Sequence, residues 1–190
     1  VERRYSNDVI GKTVGLVGFG NVARIVAQLL CGFDVRILAY DVVRDEAAAS
    51  ALGAVYVDLD ELLRESDYVS LHVPMNEKTK NMVDIEFLRK MKPTAYLINT
   101  SRGGVVDEAA LIKALDENII AGAGLDVYQT LPAPEHPLLR SKRTVCTPYV
   151  AYGTKLGTIG MVNKAIQSLI EFCTGGQISN LINPRYVEFL

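Results

Sequence analysis

Gly18, Gly20 and Ala23, with Asp41 following 21 residues after Gly20, are the residues of this 190-residue sequence whose types and spacing speak most directly of chemistry. They begin in the stretch Val14-Gly15-Leu16-Val17-Gly18-Phe19-Gly20-Asn21-Val22-Ala23, which continues to Ala27. That stretch reads as a short buried strand, a glycine turn and the first turns of an amphipathic helix. Gly18 permits a tight turn, Gly20 has no β-carbon to hold a phosphate away from the backbone, and Ala23 lets helix and strand pack closely. The helix start adds free N–H groups and the positive end of its dipole. Asp41 closes a second apolar strand, Val35 to Tyr40. A carboxylate there accepts hydrogen bonds from ribose hydroxyls and repels a 2′-phosphate. The pattern predicts a dinucleotide site, with NAD as cofactor.

Strands and helices must alternate to hold such a site, and the chain reads that way. After a polar lead-in over residues 1–11, strands are expected at Thr13 to Val17, Val35 to Tyr40, Tyr68 to Val73, Thr94 to Asn99, Ile119 to Val127 and Thr144 to Thr147. Helices are expected at Asn21 to Leu30, Glu46 to Leu52, Asp58 to Arg64, Asp84 to Lys90, Asp107 to Glu117 and Thr154 to Thr174. Asp58 and Glu61 stand at capping-box spacing. Residues 129–137, with three prolines, read as an irregular loop. Apolar, β-branched strands alternating with helices imply a parallel sheet covered on both faces. The fold class is therefore α/β: a doubly wound parallel sheet in three α/β/α layers, the Rossmann arrangement. The expected boundaries are a dinucleotide-binding domain over 12–152 and a further helix and tail over 153–190.

Composition narrows the partners. The chain is 49% hydrophobic and 22% charged with a formal net charge of −2, the balance of a soluble globular protein. Scattered basic residues argue against nucleic acid, and no apolar run has the ~18 residues of a membrane span. Cys31, Cys146 and Cys173 are an odd, widely spaced set in apolar surroundings. They read as buried free thiols in a reducing cytoplasm, with no metal site.

With these motifs in order, the chain resembles the D-isomer-specific 2-hydroxyacid dehydrogenases, including the phosphoglycerate dehydrogenase and glyoxylate reductase types. The resemblance rests on the turn at Gly18, on Leu71-His72-Val73-Pro74 with Thr79, and on Leu97-Ile98-Asn99-Thr100-Ser101-Arg102-Gly103-Gly104-Val105-Val106-Asp107-Glu108. It continues through Gly122-Ala123-Gly124-Leu125-Asp126-Val127-Tyr128 and Thr147-Pro148, the last followed by an apolar residue and alanine. It implies an NAD-dependent oxidoreductase acting on the CH–OH group of a 2-hydroxy acid, and a homodimer. Asn21 and Val22 would offer backbone N–H groups to the pyrophosphate. His72, Val73, Pro74, Thr79, Thr100 and Ser101 would line the cofactor, and Asp126 would face the nicotinamide carboxamide. Arg102 matches the catalytic arginine, whose planar, permanent charge suits the carbonyl and carboxylate of a 2-keto acid. Complete subunits of that family also carry a substrate domain built from roughly their first hundred residues. The chain is thus expected to be the cofactor domain plus the returning helix, a fragment beginning at Val1.

The pattern breaks at its acid–base pair. The family's proton donor is a histidine after Thr-Pro, supported by a glutamate five residues beyond the aspartate of Leu-Asp-Val. Here those positions hold Tyr149 and Leu131. Leucine accepts neither proton nor hydrogen bond, and a phenol near pKa ~10 returns a proton slowly. Two readings remain open: a dehydrogenase in which Tyr149 replaces the histidine, or a catalytically silent relative that binds or senses NAD(H). Glu135 and His136 are poorly spaced to substitute. A methyltransferase on the same fold would have no need of the Arg102 and Asp126 motifs.

Overall fold

The computed structural model describes residues 8–130, 134–176, 178 and 181. The chain divides into two compact units, Val1–Pro148 and Tyr149–Leu190.

In the first unit the alternation expected from the sequence is realised as β1 (Thr13–Val17), α1 (Asn21–Leu30), β2 (Arg36–Tyr40), α2 (Glu46–Ala51), β3 (Ala54–Tyr56), α3 (Leu59–Glu65) and β4 (Tyr68–Leu71). It continues with α4 (Ile85–Lys90), β5 (Tyr96–Asn99), α5 (Glu108–Asp116), β6 (Gly122–Leu125), α6 (Pro137–Arg140) and β7 (Thr144–Cys146). Among the described residues, the seven strands are all parallel, in the order β3-β2-β1-β4-β5-β6-β7. The chain winds outward from β1 in one direction, then returns and winds outward in the other. The reversal falls between β1 and β4.

Pleating divides the core. Leu16, Ile37 and Ala39 face α1 and α2 with Ala23, Ala27 and Ala49. Val17, Leu38, Val69, Leu71 and Leu97 face the opposite layer with Leu62, Leu63, Leu88 and Leu111. Each fully buried leucine contributes about 2 kcal/mol. Asp45, Asp58, Asp84 and Asp107 cap helices, each side chain accepting from backbone N–H groups of the first turn. The Asp58 carboxylate takes the N–H of Glu61 at 2.7 Å.

Three expectations need correction. β3 was not foreseen, because three residues at the sheet edge are too short to show a period. The reading of 129–137 as a loop holds only up to His136 among its described residues; Pro137 opens α6, and His136 caps it by accepting the Leu138 N–H through Nδ1 at 3.3 Å. The cysteines are free, yet Cys31 and Cys173 are exposed and Cys146 is half-buried. Cys31 lies just past the last turn of α1, where the chain leaves the core. α1 itself buries only Ala23 and Ala27, and Val22, Ile25 and Leu29 form an apolar stripe facing outward.

In the second unit, Thr154 caps α7 (Lys155–Cys173) by accepting the Gly157 N–H at 2.9 Å. The rings of Tyr149 and Tyr152 meet edge to face, 5.4 Å apart. No residue of α7 is buried.

Candidate functional site

The turn after β1 is held by its neighbours on both sides. Gly18 donates its N–H to the Tyr40 carbonyl at 2.7 Å, and the His72 N–H donates to the Val17 carbonyl at 2.7 Å. Gly18 has φ +89°, and a β-carbon there would stand 2.8 Å from the His72 carbonyl oxygen. Only glycine fits. At Gly20 the case is different: φ is −78°, and a β-carbon would meet nothing within 4 Å. The space beside the start of α1 is open.

Asp41 has two tasks at the end of β2. One carboxylate oxygen accepts the Phe19 N–H at 2.7 Å and the other accepts the Val43 N–H at 3.1 Å. It thereby ties the glycine turn to the β2 loop, and Asp41 lines a cavity of about 390 Å³. Gly18, Gly20, Val42, Pro74 and Thr79 are among the other walls of that cavity. A second cavity of about 600 Å³ is lined by Val22, Met75, Thr100, Ser101 and Arg102. His72, Val73 and Pro74 border both, so the two form one groove across the carboxyl ends of the central strands.

His72 is half-buried, and its Nε2 lies 3.0 Å from Ser70 Oγ. Burial, which penalises the imidazolium, pushes its pKa down to about 4. It is a neutral wall of the groove. Thr79 lines the groove too, but its hydroxyl donates to the Pro74 carbonyl at 2.6 Å and accepts the Asn76 N–H at 2.9 Å. It fastens the loop on which it sits.

Arg102 leaves the end of β5 on a fixed backbone. Asn99, 1% exposed, donates through Nδ2 to the Arg102 carbonyl at 3.0 Å and accepts from both the N–H and the hydroxyl of Ser101. The Arg102 guanidinium is exposed and donates to the Ser101 carbonyl at 2.7 Å; no carboxylate pairs with it among the described residues. A permanent cation left without a counter-charge in a groove is suited to an anionic ligand. Asn99 was not singled out from the sequence, although it stands in the same motif.

Asp126 follows β6 and is 3% exposed. Its N–H donates to the Asn99 carbonyl at 3.0 Å, and its carboxylate accepts the Thr147 hydroxyl. Tyr128 donates its hydroxyl to the carbonyls of Leu125 and Thr147, and burial raises its pKa well above the ordinary phenol value. It is a latch between β6 and β7 rather than an acid. His136 caps α6 through Nδ1, and its Nε2 lies 3.6 Å from Glu108. Asn21 is the first residue of α1, between Gly20 and Val22. Tyr149 opens the second unit in the left-handed region, with φ 56° and its ring half exposed. Leu131 lies outside the described residues.

The groove sits where the strand order reverses, the place where ligands bind in open α/β sheets, and this defines a dinucleotide-binding domain. The chain belongs to the D-isomer specific 2-hydroxyacid dehydrogenase family: a sequence model of that family's NAD binding domain matches residues 2–151. The glyoxylate reductase of Korarchaeum cryptofilum is 47% identical over 182 residues, which cover 95% of this chain and 55% of that protein. The glyoxylate reductase of Thermococcus litoralis is 44% identical over 173 residues, 91% of this chain and 52% of that protein. Among solved structures, a D-lactate dehydrogenase with NAD+ from Lactobacillus jensenii superposes with TM-score 0.88 at 33% identity, covering 94% of this chain and 58% of that one. The chain spans about half the length of the curated relatives it matches.

The residues present fit NAD. The open space at Gly20 leaves room for a diphosphate at the N-terminus of α1, where free N–H groups gather. Asp41 would offer a carboxylate to ribose hydroxyls, and Val42, Val73 and Pro74 would offer apolar walls to a flat base.

Proposed function

We propose that the protein is an NAD-dependent oxidoreductase of the D-2-hydroxyacid dehydrogenase type, interconverting a small 2-keto acid and its 2-hydroxy acid. Glyoxylate, the substrate in the relatives' names, belongs to this class. The observation that carries the reading is the exposed guanidinium of Arg102, whose backbone Asn99 holds, in the same groove that Gly18 and Asp41 border. NAD(H) bound there supplies or accepts the hydride at the carbon that bears the oxygen. Gly20, Asn21 and Val22 hold the diphosphate through the start of α1, and Asp41 holds the ribose. Thr100 and Ser101 line the cofactor. Arg102 binds the substrate carboxylate and polarises the carbonyl, and Asp126 orients the carboxamide of the ring. Neutral His72 excludes water from the groove without adding a competing cation.

The proton for the new hydroxyl is assigned to the Tyr149 phenol, in place of the histidine of related enzymes. The glutamate that would support a histidine is replaced by Leu131. Positioned acid–base groups contribute roughly 10²–10⁴-fold, so turnover slower than that of a histidine enzyme is expected. A second reading, a silent NAD(H)-binding relative, is favoured by that same pair of replacements. Following NADH oxidation by the full-length protein with a panel of 2-keto acids separates the two. Turnover that falls at least tenfold in Tyr149→Phe supports the enzyme; NADH binding without turnover supports the silent relative.

The exposed stripe of Ile25 and Leu29 on α1 supports a homodimer, and the free cysteines fit a cytoplasmic location. The domain boundary near residue 152 stands as part of this proposal.

A further inference from the structure

The cavity bordered by Asp41 is also lined by Lys78, on the loop that faces β2 across it. Lys78 is exposed, and among the described residues its ammonium has no carboxylate partner. Its backbone, by contrast, is tightly held. Asn76 Oδ1 accepts the N–H groups of Lys78 at 2.9 Å and Thr79 at 3.2 Å. The Asn76 carbonyl accepts the Lys80 N–H at 2.8 Å, and Thr79 closes the loop onto the Pro74 carbonyl. A loop with this many internal bonds presents its lysine to the cavity from a fixed point. The cavity therefore carries one carboxylate, already shared with two backbone N–H groups, and one uncommitted cation.

We propose that Lys78 is a nucleotide-binding residue that sets how far this site discriminates between NADH and NADPH. Its ammonium attracts phosphate at the adenosine end of the groove and offsets the repulsion that Asp41 exerts on a 2′-phosphate. The proposal rests on the reading of the groove as a dinucleotide site. A lysine is a compact, hydrated charge on a flexible stem, so it acts through field more than through a fixed hydrogen bond. Its effect is therefore larger for the ligand with more phosphate charge. It is also screened by salt, because the Debye length shrinks from ~10 Å at 0.1 M to ~3 Å at 1 M.

The test measures the dissociation constants of NADH and NADPH, by calorimetry or competition, in the wild-type protein, Lys78→Met and Lys78→Arg at low and high salt. Lys78→Met is expected to weaken NADPH binding roughly five- to tenfold and NADH binding by less than half as much, with the difference vanishing near 1 M salt. Lys78→Arg is expected to stay near wild type. The Lys78 side chain makes no hydrogen bond among the described residues, so the thermal midpoint should not move. Equal losses for both nucleotides, or no change while NADH still binds, would overturn the proposal. So would a wild-type preference for NADH beyond roughly a thousandfold, an unopposed Asp41. Failure of the wild type to bind either nucleotide would instead overturn the reading of the groove, and this proposal with it.

Discussion

A β-carbon on Gly103 would stand 1.8 Å from the backbone carbonyl oxygen of Tyr128. The loop after β5, which carries Arg102, and the loop after β6, which carries Asp126, thus touch backbone to backbone. Asn99 lies beneath both, donating to the Arg102 carbonyl and accepting the Asp126 N–H. The loops that carry the guanidinium and the carboxylate assigned to substrate and cofactor meet at a contact that admits only glycine.

Gly103→Ala is therefore expected to cost about 2–3 kcal/mol of stability, since neither backbone can yield without moving its loop. It should also weaken 2-keto acid turnover beyond what its lower midpoint explains. Urea unfolding together with kcat/KM for the folded variant checks both. A stability change under 0.5 kcal/mol would contradict the contact.

Gly18 and Gly20 should separate folding from binding. Gly18→Ala forces a side chain into φ +89° against the His72 carbonyl and is expected to lose about 1–3 kcal/mol. Gly20→Val meets open space at an ordinary φ, so its thermal midpoint should stay near wild type. Its NADH affinity should nevertheless fall at least tenfold, because the valine occupies room needed by the diphosphate. Calorimetric melts and NADH titration of both variants give the comparison. Retained binding in Gly20→Val would place the diphosphate elsewhere.

Asp41→Asn keeps an oxygen for one of the two backbone N–H groups and removes the charge. The ratio of NADPH to NADH dissociation constants should narrow about tenfold, the worth of one charge-assisted hydrogen bond to ribose and the lost repulsion. An unchanged ratio would make Asp41 a purely structural brace of the turn.

His72 gives a pH signature. In the unfolded chain its imidazole titrates near 6.5, and in the folded protein burial holds its pKa at about 4. Between these values only the unfolded state binds the proton, so stability from this group is fully present above pH 6.5. It is lost as pH falls toward 4. The slope contributed is at most one proton, ~1.4 kcal/mol per pH unit. Unfolding free energies measured at several pH values through that window should fall less steeply in His72→Gln than in the wild type. Parallel curves would show that His72 is solvated.

Much of this was legible in the order of residues. The glycine spacing, Asp41 and the alternation of apolar strands with capped helices are local patterns, and local patterns survive in one dimension. Gly18, Gly20 and Asp41 border one cavity, and Val22, Thr100, Ser101 and Arg102 border the adjoining one. β3 and α6 were missed because three or four residues carry no measurable period, and because Pro137 reads equally as a breaker or as a first helical residue.

Only the tertiary structure decided what each polar group does with its bonds. Sequence spacing put Thr79 beside the cofactor, but its hydroxyl is consumed within its own loop. Sequence gave Asp41 a ribose, whereas the fold also gives it the N–H groups of Phe19 and Val43. Nothing in the neighbourhood of Lys78 or Asn99 announced that one would line the same cavity as Asp41 and the other would hold the Arg102 backbone. The reason is physical. A strand or a turn is chosen by residues a few positions apart, but hydrogen-bond partners and uncommitted charges are fixed by segments that meet only after the sheet has formed.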